Sequence, residues 1–171
     1  MARHDAGAND TAGLFTRSIV PHLPAAYRLA RWLLRDPAIA EDVVQDAMER
    51  AWRYIATFRG DNERAWLLRT VRNQAMEQRA KSRPMEELND DMAAALPSPE
   101  DDALHAQGTL ALNDALAALP APLRECIVLR ELEECSYREM AEILGIPIGT
   151  VMSRLWAARR ALMDLTKGFR Q

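Results

Sequence analysis

Residues Ser136 to Leu162, SYREMAEILGIPIGTVMSRLWAARRAL, read as two helices joined by a tight turn. Ser136 suits an N-cap, and Glu139 stands three residues on, the spacing of a capping box. Met140, Ala141, Ile143 and Leu144 make an apolar stripe at helical spacing. Gly145 follows where a left-handed C-terminal cap wants a residue without Cβ, and Pro147 cannot continue the helix. Thr150 is the expected N-cap of the second helix, whose inward face is Val151, Leu155, Ala158 and Leu162. Ser153, Arg154, Trp156, Ala157, Arg159 and Arg160 are left for other faces. The short turn forces a steep crossing and presents the second helix outward. This is the helix-turn-helix arrangement, whose second helix enters the DNA major groove with its N-terminal residues at base edges. A packed helical hairpin is the plainer alternative. Against it, the second helix carries Arg154, Arg159 and Arg160 with no acid before Asp164. Its first turn is also small and polar at Thr150 and Ser153, which suits approach to phosphates and base edges.

The chain's 171 residues allow one domain or two small ones. Apolar residues make up 49% and aromatics only 6%, with alanine and leucine dominant, a composition that leans all-α. A net charge of −3 does not itself point to nucleic acid, but its distribution does. From Arg64 to Arg83 six basic residues stand against Glu77, a local +5. From Pro84 to His105 there are seven acids and no Lys or Arg. From Thr150 to Gln171 five basic residues stand against Asp164, a local +4. Two basic blocks separated by an acidic segment suggest two nucleic-acid contacts on one chain, with solvated helix faces as the bland alternative. Cys126 and Cys135 are too few and wrongly spaced for a zinc site or a CxxC pair, and His4, His22 and His105 are scattered. No metal and no cofactor are expected. The N-terminus has no long apolar run, so no signal peptide and no membrane span are expected, and a reduced, cytoplasmic protein follows.

In chain order, Met1 to Gly13 is small and polar and reads as frayed. Leu14 to Leu23 is periodic but cut by Pro21 and Pro24, and Tyr27 to Leu34 supports a helix. Asp36 is an N-cap with Pro37 at the first helical position. The next helix, about 37–57, has a wide apolar face of Ala40, Val43, Val44, Ala47, Met48, Ala51, Trp52 and Ile55. Its polar face of Glu41, Asp42, Gln45, Asp46, Glu49, Arg50 and Arg53 reads, on its own, as solvated surface. Asn62 can cap a basic helix that runs to about Ser82 and stops at Pro84. Asn73 and Gln74 sit among its arginines, and amide side chains can bond bases while arginines hold phosphates. The acidic, proline-bearing stretch from Pro84 to about Ala106 reads as a linker. A helix from Gly108 ends at Pro120, and Pro122 opens another with Ile127, Val128, Leu129 and Leu132 inward and Cys126 as a small buried hydrophobe.

Several segments, in order and at spacing, resemble bacterial RNA polymerase sigma factors of the small extracytoplasmic-function (ECF) type, group 4 of the sigma-70 family. Ala40 to Asp46 with Ala51-Trp52 is similar to region 2.2. Phe58-Arg59-Gly60-Asp61, Trp66-Leu67, Arg69 and Asn73 resemble regions 2.3 and 2.4. Leu119-Pro120, Arg124-Glu125 and Leu129-Arg130 resemble the start of region 4. Ser136 to Glu139, Gly149 to Val151 and Ser153 to Leu155 resemble region 4.2.

The resemblance implies an all-α protein of two small helical domains, a region 2-like bundle over 14–83 and a region 4-like helix-turn-helix domain over 108–168, joined by a flexible acidic linker over 84–107. It implies binding to the polymerase core, at the clamp helices of the largest subunit, through Glu41, Asp42, Gln45, Asp46, Glu49 and Trp52. It implies capture of the melted −10 non-template strand by Phe58, Asp61, Asn62, Trp66, Arg69, Arg72, Asn73 and Gln74. Duplex −35 recognition falls to Thr150, Val151, Met152, Ser153, Arg154, Trp156, Arg159 and Arg160. The implied function is promoter-specific transcription initiation, with no catalytic residues and with an anti-sigma factor as regulator. Met152 and Ala157 depart from the family's frequent basic residues. The loop from Gly60 lacks an aromatic, and Glu77 adds an acid to the −10 helix.

Two other readings are open. One is a stand-alone helix-turn-helix regulator binding a palindrome as a dimer through residues 108–171. The other is a helical interaction module without DNA binding. An enzyme is disfavoured: no nucleophile–base pair or phosphate loop is visible, and Asp42 and Asp46, one turn apart, lack a ligand set.

Overall fold

A computed structural model of the chain describes residues 4–59, 62–86 and 112–167, which form helices and turns with no strand among them. The chain divides into two units, Met1–Leu88 and Asn89–Gln171. Among the described residues no helix is long and apolar enough to cross a membrane.

The first unit holds α1 (His4–Ser18), α2 (Leu23–Leu34), α3 (Pro37–Tyr54) and α4 (Glu63–Glu86), with 3-10 turns at Val20–His22 and Ile55–Thr57. Pro21, Pro24 and Pro37 each stand in the first turn of an element, where a missing N–H breaks no helical bond. Asp36 caps α3 as its sequence position predicts: its Oδ1 accepts from the N–H groups of Ala38 at 2.8 Å and Ile39 at 3.1 Å. Asn62 likewise caps α4, accepting from the Ala65 N–H at 2.8 Å. The helices α2, α3 and α4 pack pairwise on one another. Small residues let them approach: Ala26, Ala30, Ala40, Ala47, Ala51 and Ala75 are fully buried, among Leu29, Leu67, Leu68 and Val71. Each large apolar side chain taken out of water this way contributes about 1.5–3 kcal/mol.

The N-terminus departs from expectation. The helix begins at His4 rather than after Gly13, because tertiary packing anchors its far end: Phe15 meets Trp52 edge-on with ring centroids 5.1 Å apart, and Ile19 is buried. Trp52 is accordingly 46% exposed and leaves the apolar face of α3 on which the periodicity places it. Helix α4 runs through Pro84 to Glu86 instead of stopping. With only two helical residues after it, that proline forfeits a backbone bond without splitting a long helix. Residues 84–86 of the expected linker are therefore helical, and the rest of it lies outside the described residues.

The second unit holds α5 (residues 112–118), α6 (Ala121–Ile127), a π-helical turn Val128–Leu132, α7 (Tyr137–Leu144) and α8 (Ile148–Lys167). Both α6 and α7 pack on α8. The core gathers Leu116, Leu119, Ile127, Val128, Leu129, Met140, Ile143, Leu144, Val151, Leu155 and Ala158. Cys126 and Cys135 are buried free thiols within it. Leu132, expected inward, is 42% exposed. The cause is the π turn, closed by the Glu133 N–H donating to the Val128 carbonyl at 3.0 Å. A turn of i→i+5 bonds throws later residues off the α-helical phase on which the expectation rests.

Candidate nucleic-acid interface

The helix-turn-helix of α7 and α8 forms as the sequence dictates at its first end. The Ser136 hydroxyl accepts from the Glu139 N–H at 3.2 Å, and the Glu139 carboxylate accepts from the Ser136 N–H at 2.8 Å, completing the capping box. Gly145 takes the left-handed conformation, φ 65°, and the Ile146 N–H donates back to the Ala141 carbonyl at 3.2 Å. A second support comes from Arg130, whose Nη1 donates to the Cys135 carbonyl at 2.9 Å while its guanidinium lies over the Tyr137 ring. At the far end α8 starts at Ile148, so Thr150 is inside its first turn rather than its N-cap. The Pro147 carbonyl fixes that turn, accepting from the N–H groups of Thr150 at 2.9 Å and Val151 at 3.1 Å.

The outward side of α8 carries most of the residues expected there. Met152, Ser153, Trp156, Arg159 and Arg160 are exposed, and Thr150 and Arg154 are half-buried. Val151 is a correction: at 0% exposure it belongs to the core, and its side chain cannot reach a base. It stands on the inward line with Leu155 and Ala158, so its place in the motif reflects packing. Arg159 is held by Glu131 of the π turn, Nη2 to Oε1 2.8 Å, and that hydrogen bond raises its pKa above the usual guanidinium value. Arg160 lies over the Trp156 ring, 5.4 Å from its centroid. Met152, Trp156, Arg160 and Met163 line a shallow cavity of about 680 Å³ with Tyr137.

A second cavity, of about 640 Å³, lies between the C-terminal end of α3 and the first half of α4. Of the eight residues expected to hold the −10 strand, Phe58, Trp66, Arg69 and Asn73 line it. Phe58 and Trp66 stand with ring centroids 5.7 Å apart, tilted 57°. Asn62, Arg72 and Gln74 do not line the cavity; the Asn62 Oδ1 serves the α4 cap. Asp61 lies outside the described residues. Sequence reading missed Arg50, Arg53, Tyr54, Thr57, Arg59 and Thr70, which complete the lining. A usable signal existed: Arg50, Arg53 and Tyr54 recur at helical spacing at the end of α3, just before the Phe58-Arg59 break. Arginines around open aromatic rings suit a single strand, because stacking takes any base and cations follow the backbone.

Helix α3 also carries a contrasting surface. Glu41, Asp42, Gln45, Asp46 and Glu49 are all exposed, ahead of the exposed Trp52.

Residues 19–84 match the Sigma-70 region 2 family and residues 109–162 match the Sigma-70, region 4 family. Over 167 residues, 95% of this chain and 94% of the relative, the sequence is 36% identical to the ECF RNA polymerase sigma factor SigL of Mycobacterium tuberculosis. The chain belongs to the ECF sigma factors. It is also 34% identical over 134 residues to the ECF RNA polymerase sigma-E factor of Haemophilus influenzae, covering 71% of each. Among solved structures, it resembles the sigma factor RpoE of Bartonella quintana, determined with the anti-sigma factor NepR, at 31% identity and TM-score 0.74, covering 90% of this chain and 96% of that one. The sigma factor's fold is shared by CnrH, solved with the cytosolic domain of CnrY, at 24% identity and TM-score 0.65, covering 94% of this chain and 95% of that one.

Proposed function

We propose that this sigma factor directs initiation through three surfaces. The acidic side of α3 with Trp52 docks on the polymerase core, the groove between α3 and α4 holds the melted −10 strand, and the outer face of α8 reads the −35 duplex. The first two belong to residues 14–83 and the third to residues 108–168, with the acidic stretch 84–107 between them. The observation that carries the reading is the groove. Opening a duplex loses stacking worth about 1.4 kcal/mol per step. Stacking an unpaired base on an aromatic side chain returns about 1–3 kcal/mol, and Phe58, Trp66 and Tyr54 are lined up with Arg50, Arg53, Arg59 and Arg69 to do so. A stand-alone dimeric regulator bound to closed duplex has no use for such a groove.

The protein is on this reading a cytoplasmic initiation subunit, not an enzyme, and an anti-sigma factor covers it until it is needed, as NepR accompanies its Bartonella quintana relative. The test is run-off transcription with purified core polymerase over a genomic promoter library. Initiation at a small set of promoters is expected, and none at all would overturn the proposal. Asp46→Arg should abolish association with core while leaving the circular dichroism and melting temperature unchanged, since Asp46 is exposed. Undiminished core binding by that variant would remove α3 from the docking surface.

A further inference from the structure

The outer face of α8 is apolar where a DNA-reading helix meets bases. Ile148, Met152 and Trp156 recur every fourth residue and are 46%, 52% and 64% exposed. Residues at that spacing share one side of a helix, and they occupy its N-terminal half, the part that reaches base edges in a helix-turn-helix. The major groove offers hydrogen-bonding atoms on every base pair, but a single apolar group, the C5-methyl of thymine. Arginine reads guanine, amides read adenine and carboxylates read cytosine. Neither Met152 nor the ring face of Trp156 can make those bonds.

We propose that Met152 and Trp156 select thymine in the −35 element by packing on its C5-methyl group. This deepens, and rests on, the assignment of α8 to the −35 duplex. Charge decides for DNA as the occupant. Arg159 and Arg160 line the cavity with the two side chains, Asp164 is its one acid, and α8 carries no acid before it. The stripe is therefore an apolar spot in a cationic field, matched to a methyl group set between phosphates. Arg160 lies over the Trp156 ring and restrains it, and the thioether of Met152 is pliable enough to close on a methyl.

The experiment uses the full chain with core polymerase, on promoters recovered from the library, with each −35 thymine replaced in turn by deoxyuridine. That exchange removes the methyl and leaves every hydrogen-bonding atom in place. At one position initiation should fall about fourfold, the equivalent of about 0.8 kcal/mol for a buried methylene-sized group. Met152→Ala or Trp156→Ala should bring the same loss on the thymine template and erase the difference between thymine and deoxyuridine. Both side chains are exposed, so the variants should fold as the parent does. Met152→Arg should move the preference toward guanine at that position. Normal initiation that is indifferent to every deoxyuridine overturns the methyl contact and leaves the sigma activity standing. Initiation by both alanine variants at the parent rate overturns it too, and gives the stripe to a protein partner. Initiation at no promoter removes the sigma assignment itself.

Discussion

Four arginines and three aromatic rings line the groove between α3 and α4, whereas the outer face of α8 sets its arginines around Met152, Trp156 and Met163. The two basic blocks differ by one charge in sequence, yet the chemistry each presents is different. In the groove Phe58 and Trp66 are half-buried and Tyr54 is exposed, with the cations set among them. On α8 Met152, Trp156 and Met163 are all exposed, and one cation is occupied by Glu131 while another stacks on Trp156. Several rings among several arginines suit an unpaired strand that stacks and runs past them, whereas exposed side chains along one helix face suit a duplex groove that receives the helix. Local charge alone would have given both surfaces the same role.

The sharpest way to break that distinction is Trp66→Leu, which keeps apolar bulk and removes the stacking face. Loss of a stack worth about 1–3 kcal/mol predicts initiation on closed duplex lower by about fivefold or more. On a template already unpaired across the −10 region the defect should shrink, because the opening cost no longer has to be offset. An equal defect on both templates, or none, would show that the groove does not serve a melted strand. Permanganate footprinting of unpaired thymines checks the same point directly.

A smaller effect sharpens the α8 side. The Glu131–Arg159 pair is half exposed on both partners, 51% and 49%, so it contributes little to stability. Its consequence is for charge: Glu131→Gln releases Arg159 and removes an acid near the duplex. Affinity of the polymerase complex for −35 DNA should rise about threefold, with a salt dependence steeper by about one counterion. An unchanged slope would mean that Arg159 never meets a phosphate and is there to fasten α8 to the π turn.

How much of this was readable beforehand follows from the range of the interactions involved. Caps and turns at Asp36, Asn62, Ser136 and Gly145 depend on residues within four positions, and the sequence declares them. The inward stripes of α7 and α8 are periodic and equally plain. Leu132 was misplaced because a π turn changes the period that the reading assumes. Thr150 looked like a cap because it is a good one, but the Pro147 carbonyl already closes the turn. The groove was half legible: Phe58 and Trp66 belong to a recognisable motif, while Arg50, Arg53 and Tyr54 reach it only because a 3-10 turn at Ile55–Thr57 brings the end of α3 beside α4. That convergence is tertiary; the helical spacing of the three residues marks only that they share a face of α3.

Gly149 offers a test in which stability and function should move in opposite directions. It lies in the first turn of α8 and is exposed, and a Cβ there would meet nothing within 4 Å. The fold therefore has no need of glycine, which costs a helix about 0.5–1 kcal/mol relative to alanine. Gly149→Ala should raise stability to chemical denaturation by about that amount. If duplex backbone approaches the first turn of α8, the same change should weaken −35 binding. A stabilised variant that initiates normally would place the DNA farther along the helix, toward Arg154.

The smallest effect concerns the first unit alone. His22 closes the 3-10 turn ahead of α2, and its pKa is lowered, chiefly by burial and then by the Arg64 guanidinium, with Glu63 opposing. A lowered imidazole pKa means that the unfolded chain binds the proton more readily than the folded one. Stability from this group is therefore full above the ordinary value of 6.5 and is lost as pH falls below it toward the folded value. The partial exposure of His22 keeps the effect small. The melting temperature of the parent should decline slightly more than that of His22→Gln between pH 7.5 and pH 5.5. Parallel declines would show that His22 does not carry the acid sensitivity.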